Sequence, residues 1–225
     1  MRNRQLVGVL VTIALMLLSA GQAYAASDTW KVYLFNPSGR ALASQQADVA
    51  ADGTASFTFP RSADAAYLTT SKVLVGDRTG GVLSASVSVT AASGTTYMNY
   101  PGCTQSTANP TVGLYFQTKA SGGFNPSDYW WSSDRHLVAS LSSGPTALST
   151  ALQGANWTNF YGQPGSQPGS YVVNGTTYPS AADGFAAAVA NVTSWGVSFG
   201  GDCFYANGVG TPTGSAVFSL TPPTP

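Results

Sequence analysis

Few residues in this chain have types and spacings that could do chemistry. Gly196-Val-Ser-Phe-Gly200 has the G-x-S-x-G spacing, in which a sharp strand-to-helix turn presents a nucleophilic serine. That chemistry needs an acid and then a histidine after the serine, and the single histidine, His136, precedes Ser198. The motif also lies within an apolar alternation, Trp195, Val197 and Phe199, which reads as a strand with Ser198 between its packing residues. Asp134-Arg135-His136 makes an Asp–His dyad conceivable, but closeness in sequence does not imply side-chain contact. Glycoside hydrolysis usually needs two carboxylates. All nine acidic residues are Asp, mostly beside Gly, Ser or Ala in turn-like contexts. No H-E-x-x-H, phosphate loop or dinucleotide fingerprint is present. The expectation is therefore a non-enzyme with no catalytic residues, and an Asp-dependent hydrolase is the alternative from another class.

The aromatic residues are more informative. Tyr129-Trp130-Trp131 sets three large rings in a row. Neighbours in a strand point to opposite faces, so either Trp130 or the Tyr129/Trp131 pair must face outward or lie under a loop. Trp157, Phe160 and Tyr161 adjoin the Gly/Pro-rich stretch Gly162 to Gly169. Two readings stay open. The rings cover sheet edges and loop bases, or they form a surface on which neutral sugars stack. On the second reading Trp130, Trp131, Trp157 and Tyr161 are the candidate ligand contacts. A shallow face of coplanar rings would favour binding, a deep cleft holding two close aspartates an enzyme, and a bare flat surface a structural role.

Composition narrows the partners. The 225 residues include 25 Gly, 13 Pro, nine Lys+Arg and nine Asp, and the formal net charge is zero. Charged residues make up 8%, against about 25% in an average soluble chain. A nucleic-acid partner would need a basic patch, so none is expected. Disorder is excluded by 44% hydrophobic and 12% aromatic residues, enough to fill a core.

The first 25 residues read as a secretory signal peptide: Arg2 and Arg4, an apolar run from Val7 to Leu18, and the small-x-small site Ala23-Tyr24-Ala25. The run is short of the roughly 20 apolar residues that cross a bilayer. No membrane span is expected after cleavage, and the expected location is extracellular. Loss of Arg2 and Arg4 leaves seven basic residues against nine acidic, a net charge of −2. In an oxidising compartment Cys103 and Cys203 are expected to form one disulfide. A metal site is disfavoured because zinc wants closely spaced Cys or His ligands. Three N-x-T sequons, at Asn156, Asn174 and Asn191, matter only in a host that glycosylates.

The elements that must position these residues are mostly strands. Trp30–Phe35, Ala55–Phe59, Tyr67–Val75, Thr111–Thr118, Asp128–Trp131 and His136–Leu141 are strand-like, as are the alternations through Trp195–Phe199 and Ala216–Leu220. Leu83, Ala85, Val87 and Val89 alternate with hydroxyl residues, the clearest period-2 run in the chain. Tyr171–Tyr178 reads as a hairpin turning at Asn174-Gly175, with its two tyrosines facing each other. One helix is expected near Ser180–Val192, with Phe185, Val189 and Val192 on one side despite Gly184. The sum is an all-β, jelly-roll-like β-sandwich with one short helix, as a single domain over 26–220 followed by a Pro/Thr tail at 221–225.

Phe185-Ala-Ala-Ala-Val-Ala-Asn-Val-Thr-Ser-Trp-Gly-Val-Ser-Phe199 resembles the closing stretch of laminin IV (laminin B) modules: a short helix with an aromatic, an Asn-Val-Thr exit, then an apolar strand. His136–Leu141 and Trp157 resemble the strand and tryptophan that precede that helix. The similarity spans roughly Ser84 to Leu220, and Gly200 to Gly210 departs from it. That ending, with Asp128–Trp131 and Gly122-Gly123, looks closer to exported bacterial proteins carrying such a jelly roll. The resemblance implies a galactose-binding-like sandwich used as an extracellular, non-catalytic module that binds a neutral polysaccharide or surface glycan. A purely structural matrix protein is the alternative. It supplies no catalytic residue and no cofactor. Structural calcium is frequent in such jelly rolls, and no motif here identifies its ligands.

Overall fold

A computed structural model of the protein describes residues 30–35, 42–101, 109–118, 124–201 and 204–223. The expected signal peptide, the turn at Asn36–Gly39, and both Cys103 and Cys203 lie outside the described residues.

The described chain is an all-β sandwich. Its strands in order are β1 (Lys31–Phe35), β2 (Leu42–Gln46), β3 (Asp48–Val49), β4 (Ala55–Thr58), β5 (Ala65–Thr70), β6 (Val82–Ala91), β7 (Thr96–Asn99) and β8 (Thr111–Gln117). They continue as β9 (Tyr129–Leu137), β10 (Thr146–Ala151), β11 (Trp157–Asn159), β12 (Tyr171–Val173), β13 (Thr176–Tyr178), β14 (Ser194–Gly200), β15 (Val209–Thr213) and β16 (Ala216–Thr221). The larger sheet runs β11-β9-β8-β14-β5-β1-β2, with β15 joining β5 to β7 at one end. The smaller runs β10-β6-β16-β4-β3, and β12 and β13 form a separate hairpin. Successive strands step repeatedly between the sheets, at β2 to β3, β4 to β5, β5 to β6, β6 to β7, β9 to β10, β10 to β11 and β15 to β16, which gives the jelly-roll-like course. No helix among the described residues is long and apolar enough to cross a membrane.

Alternation builds the core. In β6, Leu83, Ala85, Val87 and Val89 face inward while the serines between them are half-buried. Val112, Leu114 and Phe116 of β8 and Trp195, Val197 and Phe199 of β14 meet them from the other sheet. Two ring clusters fill the wider gaps. Phe57, Phe59, Phe199 and Phe218 pack with centroids 4.8–6.0 Å apart, and Phe116 contacts Trp157 at 4.9 Å and Phe185 at 6.0 Å.

The helix α1 (Ala181–Val189) is capped by Ser180, whose hydroxyl accepts from the Asp183 N–H at 3.2 Å. Phe185 enters the core and meets Trp130 at 5.0 Å. Gly184 is what lets the helix come this close: a Cβ there would lie 2.5 Å from Ser127 Oγ. The hairpin turn has Asn174 at φ 49° and Gly175 at φ 79°, the left-handed pair that suits the strand twist. Tyr171 and Tyr178 stack across it at 5.5 Å.

Two expectations change, and further strands appear that no expectation covered. Tyr67–Val75 is not one strand: β5 starts at Ala65 and ends at Thr70, and Leu74 turns with φ 51°. The two short strands expected at Asp128–Trp131 and His136–Leu141 are one strand, β9, which passes a register shift opposite Gly113–Tyr115 and gives way to a 3-10 turn over Val138–Ser143. The strands β2, β7, β10, β11 and β15 carry no long apolar alternation, because they are short or lie toward the sheet margins with one side in solvent.

Candidate functional site

The outer face of the larger sheet carries the most chemistry. Strand parity puts it there: in β8, Leu114 and Phe116 face the core, so Tyr115 between them faces out. The same parity turns out Tyr33 from between Val32 and Leu34, and Trp131 from beside Trp130. In β5 the register shift between Tyr33 and Leu34 of its partner puts both Ala66 and Tyr67 on the outer side.

A second, smaller aromatic cluster results, built on a floor of small residues. Tyr67 and Tyr115 come from strands that flank β14, yet their rings meet at 4.7 Å. They can do so because β14 carries Gly196 level with Tyr115. Gly196 has no room for a side chain in any case: a Cβ would lie 2.0 Å from the Leu68 carbonyl oxygen. Tyr115 then contacts Trp131 at 5.5 Å, and Trp131 contacts Phe204 at 5.7 Å and Phe160 at 6.0 Å.

At one end of this face lies a groove of about 280 Å³. Tyr33, Tyr67, Tyr115 and Tyr129 wall it, Thr69, Ser71, Thr193 and Ser194 supply hydroxyls, and Gln117 supplies an amide. Among its described lining residues Lys31 carries the only charge, and no aspartate is present. Tyr115 Oη donates to Gln117 Oε1 at 2.6 Å, so the amide NH₂ is the group Gln117 offers to a ligand. Burial pushes the Tyr67 and Tyr115 hydroxyls well above the usual phenol range, with neighbouring tyrosines adding to the effect. Both are neutral donors throughout the physiological range.

At the other end Arg135 lies across the sheet. Its Nε donates to Thr111 Oγ1 at 2.9 Å, Nη1 to Ser198 Oγ at 3.1 Å, and Nη2 to the carbonyls of Ser198 and Tyr205, each at 3.1 Å. The guanidinium carbon stands 4.5 Å from the Tyr205 ring centroid. Gly113 beneath it leaves the space: a Cβ there would be 2.9 Å from Nη1. Burial pulls the Arg135 pKa down to about 9, which leaves the group charged at neutral pH. Its acceptors are neutral oxygens on β8, β14 and the loop before β15, so it acts as a strap across three segments.

That strap accounts for the G-x-S-x-G serine. Ser198 is fully buried on the outer face with its hydroxyl taken by a cation rather than a base. The Asp134–His136 contact does form, at 3.6 Å between Oδ1 and Nε2. Strand parity, however, puts His136 on the side of β9 opposite Arg135 and hence away from Ser198.

The four ligand-contact candidates separate. Trp130 and Trp157 are fully buried between the sheets. Their indole N–H groups donate to main-chain carbonyls, Trp130 to Ser127 at 2.7 Å and Trp157 to Ala151 at the end of β10 at 2.9 Å. Neither can meet a ligand while the sandwich is closed. Trp131 is on the outer face, as its parity with Trp130 requires, but it is only 2% exposed, because Phe160 and Phe204 roof it over. Tyr161 alone reaches the surface, with its hydroxyl 3.3 Å from that of Tyr178. Of the groove tyrosines, which no run of adjacent aromatic residues marks, Tyr33 and Tyr129 are half-buried and present ring area to solvent, while Tyr67 and Tyr115 are buried and form the groove's floor. Their signal was present: each of Tyr33, Tyr67 and Tyr115 has a core-facing residue as a direct neighbour.

Comparisons with family models, with curated proteins and with solved structures each return no match to this chain.

Proposed function

We propose that the chain is an exported, non-catalytic module that binds a neutral glycan in the tyrosine groove. The observation that carries this reading is the lining: the half-buried rings of Tyr33 and Tyr129 over a buried floor of Tyr67 and Tyr115, interleaved with hydroxyls and one amide, with no carboxylate among the described lining residues. Rings offer apolar faces to the C–H face of a sugar, while hydroxyls and amides exchange hydrogen bonds with its edge. A charged ligand would find only Lys31 to answer it. The laminin IV-like, galactose-binding-like reading of the sandwich belongs to the same proposal. It is supported by the order of α1, the Asn191-Val192-Thr193 exit and the apolar strand β14 in the middle of the larger sheet.

The test is retention of the mature protein on amorphous cellulose, chitin, xylan and starch, with a glycan array in parallel. Tyr129→Ala is expected to weaken retention at least about tenfold, the scale of one lost stacking contact with its hydrogen bond. Its melting temperature should stay near that of the parent, since Tyr129 is only half-buried. Failure of the parent to bind any of the four polysaccharides or any array glycan would remove the reading.

The Cys103–Cys203 disulfide is part of the proposal. It is supported by the described flanks, which the fold brings together: Asn207 Nδ2 donates to the Tyr100 carbonyl at 2.7 Å, and a Cβ on Gly201 would touch Asn99 and Asn109 at 3.4 Å. Mass spectrometry of the secreted protein is expected to find no free thiol. Reduction is expected to lower stability by up to about 4.7 kcal/mol, the chain-entropy value for a loop of about 100 residues. Two alkylatable cysteines in the native protein would refute the bond.

A further inference from the structure

We infer that the groove's ligand is a single extended chain of neutral sugar residues, which leaves the groove at Tyr129 and continues over Phe124, Tyr161 and Tyr178. The inference rests on the glycan-binding reading and adds the form of the ligand. Three observations carry it. The first is continuity: Tyr129 walls the groove and also stands 6.0 Å from Phe124, which is 6.1 Å from Tyr161, which is 5.4 Å from Tyr178. The second is exposure. Phe124 is 53% exposed and the rings of Tyr129, Tyr161 and Tyr178 that continue from it are half-buried, so the strip presents continuous ring area to solvent. The third is tilt. Successive ring planes along the strip turn by 20°, 71° and 56°, so the rings are not coplanar. They cannot all lie against a flat crystalline face, but each can take one residue of a chain that twists.

The test measures affinity for cellobiose and cellohexaose, chitobiose and chitohexaose, and maltose and maltohexaose, with crystalline cellulose and crystalline chitin as flat-surface controls. In at least one series the hexasaccharide is expected to bind roughly tenfold or more tightly than the disaccharide, the scale of one or two added ring contacts. Phe124→Ala should erase that difference and leave disaccharide binding unchanged. Phe124 is on the surface, and circular dichroism and the melting curve of the variant report whether the fold is retained; Tyr161→Phe, which keeps the ring, should preserve the length dependence. Equal affinity for the short and long sugars, or tighter retention on the crystalline forms, overturns the extended-chain inference and leaves the groove reading standing. Absence of binding in all three series, with xylan and the glycan array also blank, overturns both.

Discussion

Trp130→Ala is expected to cost about 3–5 kcal/mol, the range for removing a buried tryptophan. The side chain is fully buried between the sheets. Phe185 meets it edge-on at 5.0 Å, and Phe116 lies parallel to it at 6.5 Å. Alanine would leave a cavity where the helix packs on β9, and it would strip the Ser127 carbonyl of the donor now 2.7 Å away. A typical domain is stable by about 5–15 kcal/mol, so the loss is a large share of the total. Urea denaturation of the parent and variant measures it. Tyr161→Ala in the same experiment should fall within about 1 kcal/mol, because that ring is partly in solvent. A Trp130→Ala midpoint equal to the parent's would mean that the ring is not core.

Gly196→Ala is expected to cost about 3 kcal/mol or more, at the upper end of overpacking. The added methyl would sit 2.0 Å from the Leu68 carbonyl oxygen and 2.8 Å from the Thr69 Cα. Both obstacles are backbone atoms of β5, and β14 is paired with β5 on one side and β8 on the other. Neither strand can retreat without breaking a ladder in the middle of the larger sheet. The Tyr67–Tyr115 contact across β14 would be disturbed at the same time, so any glycan binding should weaken along with stability. An alanine variant that expresses, melts and binds like the parent would refute the close approach.

Much of this architecture was legible residue by residue. The alternations in β6, β8, β14 and β16 name their own inward faces, because a strand repeats every two residues and one buried face demands apolar side chains. Asn174-Gly175 specifies its turn through the left-handed backbone that both residues accept. The Phe185/Val189 spacing marks the helix, and the structure puts its cap at Ser180. The rule that Trp130 and Trp131 cannot share a face also follows from sequence, and the two do part, one to each side of the larger sheet.

What parity cannot supply is what lies over an outward face. Trp131 faces out and is still buried, because Phe160 and Phe204, about 30 and 70 positions away, close over it. Tyr33, Tyr67, Tyr115 and Tyr129 become one groove only because β1, β5, β8 and β9 lie in one sheet with the bare backbone of Gly196 between two of them. Ser198 belongs to Arg135 because β14 and β9 both flank β8. The sequence by itself determined which side of each strand is apolar, since that is a local property of period two. Which outward rings are roofed and which are open depended on strand order and loop course, and those are set by long-range pairings that no local pattern encodes.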